Sequence, residues 1–134
     1  MGRKLTSALA LTLTFGAAAA WADCKWATGD SHSDYRACLE REVVQSNAQV
    51  DAEVEIARHR ISSADEDTPP KQQALEALRV AYDSFKRYRT HQCEYEASTA
   101  AGGNSAGDLR ALCEIALDKA YIEHMKSVHG FGGS

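Results

Sequence analysis

Residues 82–113 read YDSFKRYRTHQCEYEASTAAGGNSAGDLRALC, and they hold most of the information about the fold. An aromatic and basic run with helical spacing leads to Cys93. A small, flexible segment with Gly102 and Gly103 follows, and then a second periodic run carries Cys113. Glycines in such a segment interrupt a helix. The stretch therefore predicts two helices that meet at a glycine-rich connection, each with a cysteine near it.

The helix before this connection has a clear start. Thr68 is placed to cap it, and Pro69 falls in its first turn, where the missing N–H of proline costs nothing. We expect this helix to end at about Ser98, before the small residues 99–104. Its apolar face has a spacing of three or four residues, and its aromatic members are expected in the core. The face consists of Leu75, Leu78, Ala81, Phe85, Tyr88, Gln92 and Tyr95.

The helix after the glycines begins with a second recognisable signal. Ser105 and Asp108 form a hydroxyl–acid pair of the capping-box type. Gly130 and the short tail behind it are expected to end this helix. Its expected apolar face consists of Leu109, Leu112, Cys113, Ala116, Leu117, Ala120, Tyr121 and Val128.

A third periodic run lies nearer the N-terminus. Ser31 and Asp34 again match a capping box, so this helix is expected to begin near residues 31–33. It should end before residues 62–67, whose acids Asp65-Glu66-Asp67 we interpret as a solvated loop. No alternating run of β-branched residues indicates a strand. The sequence predicts an all-α fold, a small bundle of three main helices, whose first helix buries Leu39, Val43, Asn47, Val50, Val54, Ala57 and Ile61.

Residues 1–22 have the pattern of a secretory signal peptide. Arg3 and Lys4 give a basic start, the apolar run 5–20 follows, and Ala20-Trp21-Ala22 is an A-x-A cleavage site. The apolar run is short for a spanning helix, and Asp23 follows at once, so a retained membrane anchor is the weaker interpretation. The residues before Cys24 are not the small ones that a lipidation signal requires. We expect a mature domain of residues 23–134 that is exported and either stays in the periplasm or is secreted.

The charge of this mature domain restricts its partners. The chain has 15 basic and 19 acidic residues, and loss of Arg3 and Lys4 leaves 13 against 19, a net charge of −6 with neutral histidines. Such a charge disfavours binding to nucleic acid or to anionic lipid. It suits a cationic protein partner.

The four cysteines favour disulfides over a metal site. Cys24, Cys38, Cys93 and Cys113 all lie in the exported part, and an even number in a small exported domain is typical of disulfides. Zinc sites prefer close pairs such as C-x-x-C, which this chain lacks. Of three possible pairings, 24–38 and 93–113 is the best, because each bridge then spans a single turn of the chain. Antiparallel packing across residues 99–104 would bring the second pair together.

These residues together resemble a known family. The pattern of an aromatic residue, Tyr-Arg, Cys, a Gly-Gly-polar segment and a further Cys resembles the N-terminal domain of LprI-type lysozyme inhibitors, and the resemblance covers residues 24–125. It implies a helical four-cysteine domain whose partner is a lysozyme. The family usually has Trp at the position of Phe85, and Thr and Arg at the positions of Asp118 and Tyr121. The residues that carry the resemblance are Phe85, Tyr88, Arg89, Cys93, Gly102, Gly103, Asn104, Ser105 and Cys113, with Cys24, Ser31, Asp34 and Cys38 in the front half.

Several candidate sites have a simpler structural explanation. Arg89 among aromatic residues can grip a carboxylate of a partner, but we favour a role inside the fold, bonded to loop carbonyls or to an acid on a neighbouring helix. The five histidines show no H-x-x-H or H-E-x-x-H arrangement, so neither a metal nor a cofactor is expected. No nucleophile with a base in reach and no carboxylate pair suited to glycoside hydrolysis is evident, so the chain is not expected to be an enzyme.

Two functional hypotheses follow from the sequence. In the first, the domain inhibits a cationic lysozyme-type cell-wall hydrolase, and its partner-binding residues are Gly102, Gly103, Asn104 and Ser105. In the second, it is a general envelope adaptor or binding module, or an immunity protein, with a partner unrelated to lysozyme. A lytic assay on cell-wall substrate distinguishes the two. A simple turn between two helices is the competing explanation for the four loop residues.

Overall fold

The structure, a computed structural model, describes residues 24–25, 31–63 and 69–131. It contains three helices, α1 (His32–Ser62), α2 (Pro69–Ser98) and α3 (Ser105–Phe131), and no strand in those ranges. The all-α prediction is confirmed. The predicted signal peptide, the cap at Thr68 and the acidic residues 65–67 lie outside the described residues.

The start of α1 confirms its predicted capping box. The Ser31 hydroxyl accepts a 3.2 Å hydrogen bond from the backbone N–H of Asp34, and the Asp34 carboxylate accepts one from the backbone N–H of Ser31. The Ser31 hydroxyl also donates a 2.6 Å hydrogen bond to the Asp34 carboxylate, and this bond first, then the one from the Ser31 backbone N–H, holds the pKa of Asp34 below its ordinary value. The pair satisfies two N–H groups that have no partner inside the helix.

The two ends of α3 differ slightly from the prediction. Ser105 is the first residue of the helix itself, and both carboxylate oxygens of Asp108 bond to side chains of α1. The helix continues through Gly130 and ends at Phe131, the first residue of the tail that was expected, together with Gly130, to end it. Glycine is tolerated in the last turn of a helix because little of the helix depends on it.

Side-chain pairs fix the directions of the three helices. Helices α2 and α3 are antiparallel, since Cys93 meets Cys113 and Phe85 meets Tyr121. Helices α1 and α3 run parallel, since Asp108, Asp118 and Lys126 meet successive residues along α1. The third helix packs against both others and forms the centre of the bundle. The buried apolar residues are Leu39, Val50, Ala57, Cys93, Ala97, Cys113, Ile115, Ile122 and Met125.

The predicted apolar faces need two corrections. On α3 the buried stripe is Ile115, Asp118, Ile122 and Met125, whereas Leu109, Leu112 and Val128 of the predicted face are exposed. On α2, Tyr88 is 55% exposed and Tyr95 is 65% exposed, so the prediction that they lie in the core was wrong. Phe85, which was also predicted in the core, is half-buried and lies at its edge.

Both predicted disulfides are present. Cys24 pairs with Cys38, with 5.9 Å between their Cα atoms, and Cys93 pairs with Cys113 at 5.5 Å. Both bridges lie at the end of the bundle where α1 begins, α2 ends and α3 begins. Among the described residues, no helix combines the length and the apolar character that crossing a bilayer requires.

Candidate functional site

The predicted binding residues form an exposed loop at the end of the bundle that carries both disulfides. Residues 102–105, called the glycine loop below, are all exposed. The backbone φ angles are 51° at Ala101, 77° at Gly102 and 123° at Gly103. Three consecutive residues with positive φ reverse the chain sharply, and the last of these angles suits only glycine. The backbone of this turn therefore requires glycine at residue 103 and favours it at residue 102.

The loop is held at its base by bonds between α2 and α3. The Cys93–Cys113 disulfide joins the two helices roughly two turns below the loop. Beside it, Nη2 of Arg110 donates a 2.9 Å hydrogen bond to Oε2 of Glu94 across the same helix pair. That ion pair is exposed and adds little stability by itself. The disulfide is therefore the main constraint on the distance between the two ends of the loop.

A second attachment comes from α1. Nη2 of Arg36 donates a 2.6 Å hydrogen bond to the backbone carbonyl of Asn104, and its Nε lies 3.4 Å from Oδ1 of Asp108. His32 completes this Arg36 cluster (His32, Arg36 and Asp108), with its Nε2 2.7 Å from Oδ2 of Asp108. The Cys24–Cys38 disulfide lies on the same turns of α1. All three helices thus restrain the glycine loop, while the side chains of Asn104 and Ser105 remain exposed.

Arg89, the other candidate from the sequence, lies away from the glycine loop and inside the fold. Its Nη1 donates a 2.6 Å hydrogen bond to Oδ1 of Asp118 and another bond to the side chain of Asn47. Ser46 donates a 2.7 Å bond to the second oxygen of Asp118, which is completely buried. One carboxylate therefore connects all three helices, and the predicted structural role of Arg89, bonded to an acid of a neighbouring helix, agrees with this geometry.

Sequence reasoning missed Ser46 and Asp118, because polar residues were not expected in a buried stripe. The available signal was their spacing. Ser46 lies four residues from both Glu42 and Val50, and Asp118 is three residues from Ile115 and four from Ile122. Each falls in step with buried neighbours, which is the pattern of a core position.

Three of the residues at which the chain is expected to differ from the family pattern, Phe85, Asp118 and Tyr121, lie near one another around Arg89. The rings of Phe85 and Tyr121 are stacked, with centroids 4.0 Å apart and planes 16° from parallel. The guanidinium of Arg89 lies 5.8 Å from the centre of the Phe85 ring, and Asp118 binds that guanidinium. Ring stacking and Arg89 therefore connect Phe85, Asp118 and Tyr121 in one group, which extends from a fully buried carboxylate to two half-buried rings. These differences do not reach the glycine loop.

An exposed apolar surface continues from the glycine loop along the outer side of α3. Leu109 is 36% exposed, Leu112 is 42% exposed, and Ala116 follows one turn later on the same face. We call these three residues the apolar row. Their spacing of three and four residues places them in a line directly behind the loop. Loop and row form one continuous exposed surface.

A separate apolar groove lies between α1 and α2, towards the opposite end of the bundle. It encloses about 510 Å³ and is lined by Val54, Leu75, Leu78 and Tyr82 among others. The Tyr82 hydroxyl donates a hydrogen bond to Asp51 across the two helices. Burial, with this bond next in importance, raises the pKa of Tyr82 to about 12.

Metal-ligating side chains do not gather anywhere in residues 24–25, 31–63 or 69–131. No group of three or more His, Cys, Asp or Glu residues there has the geometry of a metal site. All four cysteines are in disulfides, so none is available as a thiolate nucleophile. The chemistry that this surface offers is hydrogen bonding from a shaped loop and apolar contact from α3.

Comparison with known proteins identifies one related family. The family model described as "Lysozyme inhibitor LprI" matches residues 24–125. The match includes both disulfides, the glycine loop and the apolar row. Comparisons with curated proteins and with solved structures give no match.

Proposed function

The chain belongs to the LprI family of lysozyme inhibitors, and on that basis we propose that it is an exported, non-enzymatic protein that binds a cationic lysozyme-type hydrolase and blocks its substrate cleft. The observation that carries this proposal is the family match, since it extends over the whole helical domain with its four cysteines. The arrangement of the loop is a second, independent support. It offers an exposed element that all three helices restrain.

The glycine loop is proposed as the part that enters the cleft. A loop restrained at both ends loses little conformational entropy on binding, so more of its contact energy contributes to affinity. The exposed side chains of Asn104 and Ser105 supply hydrogen-bond donors. Glycosidase clefts contain paired carboxylates, and donors from the loop would bond to them. No proton transfer or covalent step by this chain is required for such inhibition.

The apolar row enlarges this contact. Specific protein interfaces bury about 800 Å² on each partner, more than a four-residue loop provides. Leu109, Leu112 and Ala116 lie next to the loop and are exposed, so they supply the apolar centre that such interfaces usually have. The hydrolase would therefore contact the loop and the adjoining face of α3 together.

Export is part of the proposal. Two disulfides in a small domain fit an oxidising compartment such as the periplasm or the exterior. We propose that cleavage after Ala22 releases a mature protein that begins at Asp23 and carries no lipid. Intact-mass measurement of the exported protein tests this. An acylated Cys24 at the N-terminus would contradict it.

A lysis assay tests the proposed function. Residues 23–134 are added to a lysozyme acting on cell-wall substrate, and the rate of clearing is measured at low salt. Inhibition is expected at micromolar concentration or below. The double variant Asn104→Tyr/Ser105→Tyr should weaken it by about tenfold or more, because bulky rings obstruct entry of the loop.

The matched control is Val44→Tyr, which adds the same ring to the outer face of α1, where Val44 is 71% exposed. It should inhibit like the unmodified domain. If the unmodified domain fails to slow lysis even in micromolar excess, the inhibitor proposal is wrong, and the adaptor or immunity hypothesis takes its place. If both variants inhibit normally, inhibition uses another surface.

A further inference from the structure

We propose that Arg36 is a positioning residue that holds the glycine loop in the conformation that binds the partner; this inference rests on the proposed function. Arg36 is on α1, whereas the loop connects α2 to α3. Its guanidinium donates to the Asn104 carbonyl at 2.6 Å and lies 3.4 Å from Asp108. Arg36 therefore connects the loop to α1, although the loop itself joins the other two helices.

The backbone N–H of Ala106 donates a 3.3 Å hydrogen bond to the Gly103 carbonyl, but the two glycines at the tip of the loop lie in open space. A Cβ atom placed at Gly102 or Gly103 would find nothing within 4 Å. Both glycines have positive φ and glycine samples many backbone conformations, so the loop sequence alone does not select one. The disulfide fixes the lower end of the loop, and the bond from Arg36 fixes Asn104 at its upper end.

The geometry of this contact calls for arginine. A guanidinium carries several N–H groups in one plane, so a single side chain reaches both the Asn104 carbonyl and the Asp108 carboxylate. His32 holds the same carboxylate from its other oxygen at 2.7 Å. Asp108 is thus oriented to hold Arg36 in place. A lysine carries its donors on a single nitrogen, so it does not match two acceptors spread along one plane as a guanidinium does.

Gly107 provides the space that this arginine occupies. A Cβ atom at position 107 would lie 3.3 Å from Nη2 of Arg36, closer than ordinary contact. Glycine is a poor helix former, yet Gly107 lies in the first turn of α3. A side chain longer than alanine at this position would displace the guanidinium from Asn104 without removing any hydrogen-bonding group. The contact can therefore be tested by changing either Arg36 or Gly107.

The test measures the loop and the binding separately. Hydrogen exchange of peptides that cover residues 99–106 reports loop opening, and binding kinetics to lysozyme report function. Arg36→Ala should speed loop exchange and weaken binding by about tenfold, since the freed backbone must be ordered again on binding. Arg36→Lys should restore part of both. Arg41→Ala, which removes the same charge from an exposed position of α1, should change neither.

Gly107→Leu separates positioning from stability. Leucine is a better helix former than glycine, so the thermal midpoint should be unchanged or higher. Displacement of Arg36 should nevertheless speed loop exchange and weaken binding. A side chain that only stabilises the fold would give the opposite pattern, with slower exchange and unchanged affinity.

The outcomes separate this inference from the proposed function. If the unmodified domain does not bind lysozyme, the proposed function is wrong. If it binds, but Arg36→Ala and Gly107→Leu match Arg41→Ala in exchange and affinity, the positioning role of Arg36 is wrong. Faster exchange with unchanged affinity would also overturn that role, because the loop conformation would then not matter for binding.

Discussion

Asp118 is completely buried and receives a 2.6 Å hydrogen bond from Nη1 of Arg89, which is itself mostly buried. The remaining carboxylate oxygen is bonded to Ser46 on α1. A charge removed from water is tolerated only when it is paired and its oxygens are hydrogen-bonded. This ion pair, with the bond from Ser46, therefore fixes how the three helices pack against one another at the middle of the bundle.

The first prediction concerns this pair. Arg89→Met should lower the free energy of unfolding by about 3–5 kcal/mol, because it leaves the Asp118 charge buried without its partner. Arg89→Met combined with Asp118→Leu should lose much less, since no buried charge remains. Urea denaturation measures both. Arg87→Met, an exposed neighbour on α2, is the control and should cost less than about 0.5 kcal/mol. Equal losses in the single and double variants would contradict this explanation.

The same ion pair explains why part of the fold could not be predicted from the sequence. Helix boundaries and disulfides follow from local signals: the capping box at Ser31, proline at residue 69 and cysteines flanking a glycine-rich turn. The buried side of α3 does not follow from a local signal, because it contains the charged residue Asp118. Choosing leucines over an aspartate placed the predicted apolar face of α3 roughly half a turn away from the buried one. Only the partner, 29 residues away on α2, makes that aspartate a core residue.

The site could be predicted in part. The glycine loop follows from its composition, and its exposure agrees with the prediction. The attachment of the loop to Arg36 could not be anticipated, because it depends on how α1 lies beside α3, and the two residues are 68 positions apart. Tyr88 and Tyr95 were assigned to the core because their spacing continues that of Leu78 and Phe85. A three-helix bundle buries a narrower face of α2 than that spacing implies.

The second prediction concerns the disulfides. Replacing Cys93 and Cys113 with alanine should lower the free energy of unfolding by about 3 kcal/mol, the loss expected for a bridge that closes a loop of about this length. Loss of Cys24 and Cys38 should cost a similar amount. Only the first pair should also speed hydrogen exchange in residues 99–106. Equal exchange in both double variants would show that the 93–113 bridge does not restrain the loop.

The third prediction concerns backbone strain in the loop. Gly103→Ala should lower the unfolding free energy by about 1–3 kcal/mol, because φ is 123° there and side chains avoid that region. Since nothing lies within 4 Å of the added Cβ, the cost comes from the backbone alone. Ala101→Gly should instead raise the unfolding free energy by less than about 1 kcal/mol. It removes the backbone strain at φ 51° in the folded protein, and this gain exceeds the entropy that the new glycine gives the unfolded chain. Thermal unfolding of both variants is the measurement, and a destabilising Ala101→Gly would contradict the prediction.

The fourth prediction concerns alkaline pH. The pKa of Tyr82 is raised to about 12 in the folded protein by burial and by its bond to Asp51, whereas an unfolded tyrosine has a pKa near 10. Neutral Tyr82 therefore contributes stability that is complete below pH 10 and is lost as the pH rises towards 12. The difference in unfolding free energy between the wild type and Tyr82→Phe should shrink over that range. Ultraviolet titration should show the loss of one high-pKa tyrosine in the variant, and a constant difference in stability would contradict the assignment.

The last prediction concerns how the domain meets its partner, and it rests on the proposed function. The mature domain, with a net charge of −6 if Arg3 and Lys4 are removed with the signal, would attract a cationic hydrolase. The range of this attraction depends on salt, since the screening length falls from about 30 Å at 0.01 M to about 8 Å at 0.15 M. Association should therefore slow by about tenfold or more over this range, while dissociation changes little.

Glu123 tests the local part of this attraction, because it is exposed on the same side of α3 as the apolar row. Glu123→Gln should slow association modestly, by about twofold, and Glu123→Lys should slow it further, with both differences vanishing at high salt. Stopped-flow or surface-based kinetics measure these rates. Association rates that are independent of salt and of residue 123 would show that apolar contact and loop shape, without charge, bring the two proteins together.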